Sequence, residues 1–282
     1  AHLIRSAFLS EEDTLWGAAD YSQQEPRMAV HFAALCRVPG FEDAVRYYTD
    51  DPAADFHTMV AELTGLPRKK AKIINLGVMY GMGLRTLASS LGVTDAEAES
   101  MLEQYHSRMP FVDGLNKFCG RRARTRGFIK LLDGARSHFD DWELAWGESG
   151  VPFAACDHAR ALKLANGRRI RRAHTRKAMN RLIQGSSARQ TKMAMRACWR
   201  EGLLPLLQLH DELDVPVGSE ADGRRVAEIM ENVIQLRVPM KVDLQYGQDW
   251  GQASEEMEKG VAPPSFSEVL LSKSNAEILG AR

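Results

Sequence analysis

The sequence predicts an α+β protein that is mainly helical and contains a small antiparallel sheet. An apolar run over 14–19 ends at Asp20 and indicates a strand. Two apolar stretches within 203–217 surround a polar turn at 210–212, which predicts an antiparallel hairpin. A further strand is expected over 239–246, and helical patterns cover most of the remaining chain.

Capping and breaking residues predict the helix boundaries. A helix should begin near Pro67 and end where Gly81 and Gly83 interrupt the pattern. Thr94 and Glu97 have the spacing of a capping box, so another helix should start there.

Three later segments are less regular. The stretch 132–167 is rich in glycine and tryptophan and predicts a loop-rich insertion with one helix. A long helical segment over 176–199 is expected to break or bend near Gly185. The segment 254–282 predicts a linker followed by a short peripheral helix over 266–279.

Composition excludes several classes of protein. The chain has 282 residues, 44% apolar and 26% charged, which is ordinary for a globular protein of one or two domains. No apolar window approaches the roughly 18 residues of a membrane span, and no signal peptide pattern opens the chain. The 4 cysteines include no Cys-x-x-Cys pair, so no disulfide framework or thiolate zinc site is indicated. A reduced, cytoplasmic setting is expected.

The formal net charge of zero conceals a segregation of charge along the chain. Lys plus Arg and Asp plus Glu each total 37, yet 160–200 and 117–130 contain basic residues and no acid, whereas 1–65 is rich in acids. Such runs either bind a polyanion or form solvated helix faces, and charge alone favours neither.

Three constellations of residues could carry chemistry, and two of them are acidic. Asp20 ends a predicted strand, and Asp211 and Glu212 lie at the tip of the predicted hairpin. If these carboxylates converge, a hard divalent cation such as Mg²⁺ is the expected occupant. Either acid by itself is more often a turn or cap residue.

The third constellation is a stripe on the predicted helix 68–81. Four residues recur at intervals of four, which places two cations and an aromatic ring along one face: Arg68, Lys72, Leu76 and Tyr80. This stripe could bind a triphosphate and stack a base, although alone it is more often a solvated face.

In this order the motifs resemble the polymerase module of family A DNA polymerases, the group of bacterial DNA polymerase I and many phage replicases. The stretch 20–27, Asp-Tyr-Ser-Gln-x-Glu-x-Arg, is similar to motif A, Arg68 through Gly81 to motif B, and His-Asp-Glu at 210–212 to motif C. Arg176 to Gly185 and 55–58 resemble two further elements of the family. The resemblance covers about residues 2–253.

The resemblance implies a right-hand polymerase of palm and fingers in which the thumb is absent. It assigns 1–54 to the palm, 55–174 to the fingers, 175–253 to the rest of the palm, and 254–282 to a C-terminal extension. The implied reaction is DNA-templated transfer of a nucleotide from dNTP to a primer 3′-hydroxyl with release of pyrophosphate. Two Mg²⁺ ions are implied, for which Mn²⁺ can substitute.

The same resemblance implies roles for individual residues. The catalytic residues would be Asp20, Asp211, Glu212 and Lys72, with Lys72 protonating the leaving pyrophosphate. The metal ligands would be Asp20, Tyr21 and Asp211. The dNTP-binding residues would be Arg68, Lys72, His57, Leu76, Tyr80, Glu25 and Gln23. The DNA-binding residues would be Arg176, Asn180, Gln184, His210 and Tyr80.

The implied partners are primer–template DNA, dNTPs and a separate polypeptide that supplies a thumb or exonuclease, with no membrane, in bacterial or phage-infected cytoplasm. The alternative is a non-catalytic DNA-binding fragment or subunit derived from such a polymerase. A single-subunit RNA polymerase is a weaker third possibility, which Glu25 and the His-Asp-Glu motif disfavour. Leu76 departs from the family, which usually has an aromatic ring at that position.

Overall fold

The computed structural model describes residues 2–11, 13–149, 151–254 and 262–278. Its contacts divide the chain into two compact units. Unit 1 comprises 1–24 and 187–282, and unit 2 comprises 25–186. The domain boundaries expected after 54 and 174 remain predictions.

The described residues are mainly helical, as the sequence predicts. The α-helices are α1 (His2–Arg5), α2 (Gln24–Cys36), α3 (Phe41–Asp50), α4 (Phe56–Thr64), α5 (Arg68–Met79), α6 (Leu84–Leu91), α7 (Asp95–Arg108), α8 (Pro110–Arg126), α9 (His158–Ala165), α10 (Ala178–Arg200), α11 (Glu220–Asn232), α12 (Trp250–Ala253) and α13 (Phe266–Ile278). The capping box predicted at Thr94 and Glu97 is present at the start of α7.

The strands form one four-stranded antiparallel sheet and two short two-stranded antiparallel sheets. They are β1 (Leu15–Tyr21), β2 (Phe128–Lys130), β3 (Arg136–His138), β4 (Trp142–Leu144), β5 (Ile170–Arg172), β6 (Leu207–Leu209), β7 (Glu212–Val217) and β8 (Val242–Gly247). The large sheet has the order β6-β7-β1-β8, so β1 lies between the predicted hairpin and the predicted last strand.

Unit 1 buries both faces of this sheet. On one face Leu15 and Tyr21 join a core formed with α10, α11 and α13, and on the other Trp16 packs with Trp250 of α12. The burial of β1 is interrupted at Asp20, which is exposed between two buried neighbours. The sheet therefore presents a carboxylate to solvent at the point where its cover ends.

Unit 2 is organised around buried aromatic rings. Tyr48 and Phe56 stack with centroids 6.2 Å apart, and Phe111 contacts Phe56 edge-on at 6.0 Å. The fully buried Arg27 lies 4.3 Å above the Tyr48 ring and donates to the carbonyl of Pro52 at 2.7 Å. A cation in the core thus holds α2 against the segment between α3 and α4.

Two expectations for the irregular segments were wrong in part. The insertion over 132–167 contains the expected helix, α9, but also β3 and β4, because strands of three residues are too short to show alternation. Helix α10 is continuous through Gly185. A Cβ at Gly185 would lie 3.1 Å from the side chain of Leu131, so the glycine permits close packing rather than a break.

The helix expected after 266 is present as α13 and is more integrated than a peripheral helix. Phe266 and Val269 are buried in the unit 1 core, and the Phe266 ring meets that of Tyr246 edge-on at 5.4 Å. Parts of the predicted extension, 255–261 and 279–282, lie outside the described residues. No helix of the described chain combines the length and apolar character needed to cross a bilayer.

Candidate active site

Asp20 lies where β1 leaves the covered part of the sheet. Alternation along a strand places it on the same face as Trp16 and Ala18, which pack beneath α12. The same alternation turns Tyr21 into the opposite core, where its hydroxyl donates to the carbonyl of Met230 at 2.7 Å. The Tyr21 side chain is therefore unable to reach a metal beside Asp20, and only its main-chain carbonyl could serve as a ligand.

The register of the sheet sets three acids side by side. Glu212 of β7 and Asp243 of β8 are the direct partners of Asp20 on its two sides. Directly opposite residues share a face, with Cβ atoms about 4.5–5.5 Å apart. We call Asp20, Glu212 and Asp243 the carboxylate row. Asp211 follows in the adjoining turn, and its carbonyl accepts a hydrogen bond from the Tyr21 amide at 3.4 Å.

The carboxylates of this row repel one another. Although solvent reaches Asp20, the surrounding protein removes enough water from its carboxylate to raise its pKa, and repulsion from Asp211, Glu212 and Asp243 adds to the shift, giving a pKa of about 7. Like charges directly opposite one another destabilise a sheet. Among the described residues, no Lys or Arg forms an ion pair with any member of the row.

Glu212 is more constrained than its neighbours. The indole nitrogen of Trp250 donates to Glu212 Oε1 at 3.0 Å. Asp214, two residues along the same strand, is buried and accepts from the indole of Trp16 at 2.7 Å. Burial and the adjacent Glu212 raise the pKa of Asp214 to about 8, so it is largely protonated at neutral pH. These contacts restrain the Glu212 carboxylate at its place in the carboxylate row.

The hairpin turn brings His210 beside Asp211. His210 has a left-handed φ of 58°, and its Nδ1 lies 2.8 Å from Asp211 Oδ1. The imidazole is exposed, so it can contact a ligand while it orients the carboxylate. Gln23, before α2, also has a positive φ of 56°.

In unit 2 the predicted stripe begins on α5. Arg68 and Lys72 are exposed, and Leu76 is half-buried on the same face. The Arg68 guanidinium pairs with Asp55 at 2.5 Å, and Asp55 also caps α4 by accepting from the His57 amide at 2.8 Å. The first cation of the stripe is therefore tied to the start of the neighbouring helix.

The helix is shorter than the predicted 68–81. It ends at Met79, and Tyr80 is the C-cap residue, with its amide donating to the carbonyl of Leu76. Gly81 adopts a left-handed φ of 73°, and the Met82 amide donates to the carbonyl of Gly77 at 2.7 Å. A left-handed φ is strained for a residue that carries a Cβ, so this helix end favours glycine at position 81.

His57 is buried and held in one orientation. Burial, together with the charges of Lys72 and Arg68, lowers its pKa to about 4, so the imidazole is neutral at pH 7. Asn75 donates to its Nδ1 at 3.1 Å, and Tyr105 donates to the Asn75 carbonyl oxygen at 2.7 Å. The acceptor role of Nδ1 leaves the proton on Nε2, which can donate to a ligand.

The remaining predicted residues of unit 2 lie on α2 and around the start of α10. Glu25, in the first turn of α2, is half-buried. Arg176 is exposed in a 3₁₀ turn before α10, and its guanidinium lies 5.2 Å from the Trp146 ring. Asn180 and Gln184 are one turn apart on α10, and Gln184 is exposed.

The predicted residues thus form two groups, one in each unit. Unit 1 contains Asp20, Tyr21, Gln23, His210, Asp211 and Glu212. Unit 2 contains Glu25, His57, Arg68, Lys72, Leu76, Tyr80, Arg176, Asn180 and Gln184.

Sequence reasoning missed Asp243 and the partners of Glu212. A lone acid within the apolar strand 239–246 was the available signal for Asp243. Trp250 and Asp214 gave no signal, because their contacts depend on the register of the sheet.

Unit 1 thus carries an acidic row at one end of a small antiparallel sheet, and unit 2 carries a cation-bearing helix. The chain belongs to DNA polymerase family A, whose sequence profile matches residues 1–252.

Individual relatives agree with this membership. A DNA-directed DNA polymerase of Pseudomonas phage M6 is 33% identical over 90% of this chain and 40% of its own length. The thermostable DNA polymerase I of Thermus filiformis is 34% identical over 90% of this chain and 29% of its own length. The chain therefore spans less than half of these relatives.

A solved structure also matches. It is the POL domain of Pol1 from M. smegmatis in complex with DNA primer-template and dNTP. The TM-score is 0.68 at 28% identity, over 90% of this chain and 43% of that one.

Proposed function

We propose that this chain catalyses DNA-templated DNA synthesis, transferring a nucleotide from dNTP to a primer 3′-hydroxyl with release of pyrophosphate. The observation that carries the proposal is the carboxylate row, in which Asp20 faces an acid on each side without a compensating Lys or Arg ion pair among the described residues. The solved relative is a complex with primer-template DNA and dNTP, which supports the same substrates here.

The donor set fits Mg²⁺. The row and Asp211 offer carboxylate oxygens, the ligands that Mg²⁺ prefers. Mg²⁺ in proteins usually keeps several water ligands and binds through one or two carboxylates together with substrate phosphates. Asp20 and Asp211 would hold the ions, assisted by the Tyr21 carbonyl. Bound Mg²⁺ would activate the primer hydroxyl and offset charge on the phosphate, and Mn²⁺ can substitute.

The helix α5 would bind the triphosphate. Lys72 is exposed and forms no ion pair among the described residues, so its ammonium can bind a phosphate and then protonate the departing pyrophosphate. Arg68 is shared with Asp55, so the triphosphate would compete with that carboxylate. His57 would contribute a hydrogen bond from Nε2 rather than a charge, because its pKa is about 4.

The other predicted residues would position sugar, base and DNA. Glu25 and Gln23 would bind beside the sugar, with Glu25 excluding a 2′-hydroxyl. Leu76 would pack under the sugar, and Tyr80 would stack near the templating base. The primer terminus and its minor groove would be contacted by Arg176, Asn180, Gln184 and His210.

Primer extension with the full chain tests this function. Asp20→Asn and Asp211→Asn should each lower the Mg²⁺-dependent rate by at least about a thousandfold, because each removes several kcal/mol of stabilisation of the transition state. Asp13→Asn, at an exposed acid of the same unit, is the matched control and should retain the rate.

Circular dichroism should show that all three variants fold. Extension that survives both substitutions would exclude the proposed site. DNA binding without any incorporation by the unsubstituted chain would favour a non-catalytic module. Efficient use of rNTPs in place of dNTPs would favour an RNA polymerase.

A further inference from the structure

Helix α8 carries a cationic face that the proposed reaction does not use. At about 100° per residue, Arg121 and Arg124 lie within about 40° of Lys117 around the helix axis, whereas Arg126 lies on the opposite side. All four side chains are exposed. Three cations therefore follow one another along a single face of the helix.

Two glycines bring other segments against the edges of this face. A Cβ at Gly114 would lie 3.0 Å from Val38 Cβ, so the loop after α2 approaches α8 closely there. A Cβ at Gly120 would lie 3.2 Å from a guanidinium nitrogen of Arg124 and 3.9 Å from the carbonyl oxygen of Thr175. Both glycines are about 60° from Lys117, on opposite sides, so the cationic face lies between the two approaching segments.

A cavity lies at each edge. One, of about 490 Å³, is bounded by the loop after α2 and contains Arg37, Lys117, Arg121 and Arg124 in its lining. The other, of about 310 Å³, contains Gly81, Lys117, Arg124 and Arg176. Lys117 and Arg124 line both cavities, which makes one continuous surface. We call it the α8 track, defined by Arg37, Lys117, Arg121, Arg124 and Arg176.

The positive charge of the track is barely compensated. Asp113 pairs with Lys117 at 2.6 Å. Within the described ranges, Arg37, Arg121, Arg124 and Arg176 form no ion pair with a carboxylate. Several unpaired cations lining adjoining cavities match the spaced charges of a phosphodiester chain better than a single small anion.

One end of the α8 track indicates which nucleic-acid strand the track binds. Gly81 lines the smaller cavity and directly follows Tyr80, the residue assigned to the templating base. A strand that has not yet been copied must leave this position unpaired. A single strand can bend from one cavity to the other around the helix, whereas duplex DNA is stiff over about 150 bp.

We propose that the α8 track binds the phosphate backbone of the unpaired template ahead of the templating base. This assignment rests on the proposed polymerase function, because a template strand exists only in that reaction. It identifies which cations of the basic run 117–130 contact nucleic acid and adds Arg37, which lies far away in the sequence.

Binding of a labelled oligo-dT strand, followed by fluorescence anisotropy at several salt concentrations, tests the surface directly. The triple variant Arg37→Gln, Arg121→Gln, Arg124→Gln should bind on the order of tenfold more weakly. Its slope of log affinity against log salt should be shallower by about 2, at about 0.7 per lost phosphate contact. The matched control removes three exposed arginines of the same unit away from the track: Arg108→Gln, Arg126→Gln and Arg160→Gln. It should retain the slope.

Primer–templates with 5′ overhangs of one and eight nucleotides link the surface to the reaction. The unsubstituted chain should bind and extend the long overhang better, and the triple variant should lose this preference while it extends the short overhang at the unchanged rate. Equal slopes for the triple variant and the control, or an unaltered overhang preference, would overturn the assignment. A variant weakened equally towards duplex without overhang would also overturn it.

Two further measurements keep the outcomes separable. The single reversal Arg121→Glu, at an exposed site, replaces the triple variant if circular dichroism shows that the latter is unfolded, and it should weaken oligo-dT binding in the same direction. If the unsubstituted chain extends no primer, the polymerase proposal fails. Oligo-dT binding that depends on the three arginines would then show a single-strand site without the template role.

Discussion

The predicted site residues fall into two halves, acidic in unit 1 and cationic in unit 2, which differ in how their charges are balanced. In unit 1, Asp20 faces acids on two neighbouring strands, and its pKa of about 7 reflects burial and their repulsion. In unit 2, Arg68 is paired with Asp55, and His57 is neutral within a network of buried hydrogen bonds. The acidic half thus keeps like charges together without an ion-paired Lys or Arg among the described residues, whereas Arg68 and His57 of the cationic half already have partners.

The difference follows from secondary structure. A sheet places residues from three distant segments directly opposite one another, so acids can be forced together by register. A helix spaces its stripe along its own axis, so each cation has room for a separate counter-ion or for solvent. Substitutions in the two halves should therefore have different signatures, which can be ranked by size.

The largest effect expected in the cationic half is on the rate. Lys72→Ala should lower single-turnover primer extension by about a hundredfold, because it removes the proposed proton donor to the leaving pyrophosphate. This loss is smaller than that expected for Asp20→Asn, and it should leave folding unchanged.

Lys69→Ala, three residues earlier on the same helix and exposed, is the control and should retain most of the rate. If Lys72→Ala were as damaging as Asp20→Asn, the distinction between the two halves would be lost. Lys72→Arg, which keeps the charge but is a poor proton donor, should restore dNTP affinity more than rate.

The next effect is on stability towards acid. The folded-state pKa of His57, about 4, is below its unfolded value near 6.5, so the unfolded state binds more protons between these values. The contribution of neutral His57 to the free energy of unfolding should be present in full above pH 6.5, and it should fall by about 3 kcal/mol as the pH is lowered to about 4. Denaturant titrations followed by circular dichroism between pH 4 and 8 would measure this.

His57→Gln cannot titrate and should flatten that part of the profile. The exposed His174 supplies the control variant, His174→Gln, because it removes an imidazole that is already exposed to solvent in the folded protein. An unchanged acid dependence in His57→Gln would show that burial of this imidazole costs little.

The smallest effect concerns repulsion within the carboxylate row. Asp243→Asn should raise the free energy of unfolding by about 1 kcal/mol at pH 8 in metal-free buffer, a modest value because solvent screens Asp20. The folded-state pKa of Asp20 is raised above the ordinary value of 3.8 to about 7. The destabilisation of the folded state by the charge on Asp20 is therefore complete above pH 7 and disappears below about pH 3.8.

Thermal unfolding of Asp243→Asn and of the unsubstituted chain, with and without Mg²⁺, would measure this gain in stability. In metal-free buffer the substitution should raise the melting temperature by about 2–4 °C. Saturating Mg²⁺ should abolish or reverse the gain, because the ion relieves the same repulsion. The control variant Asp13→Asn should change neither the melting temperature nor its dependence on Mg²⁺. A destabilised Asp243→Asn in metal-free buffer would contradict the electrostatic explanation.

Much of the local structure could be predicted from the sequence. The capping box at Thr94 and the hairpin around 210–212 depend on contacts within a few residues, and both are present. The end of α5 is misplaced by two residues, because its last turn is set by hydrogen bonds from Tyr80 and Met82 that a pattern does not reveal.

What the sequence by itself determined was the family and the identity of the acids and cations, because motif spacing and residue chemistry are written along the chain. Only the tertiary structure decided that Asp243 completes the row, that Trp250 restrains Glu212, and that Arg37 joins α8. These are contacts between residues far apart in sequence. They depend on strand register and on the close approach of loops to helices, neither of which leaves a local periodicity to be read.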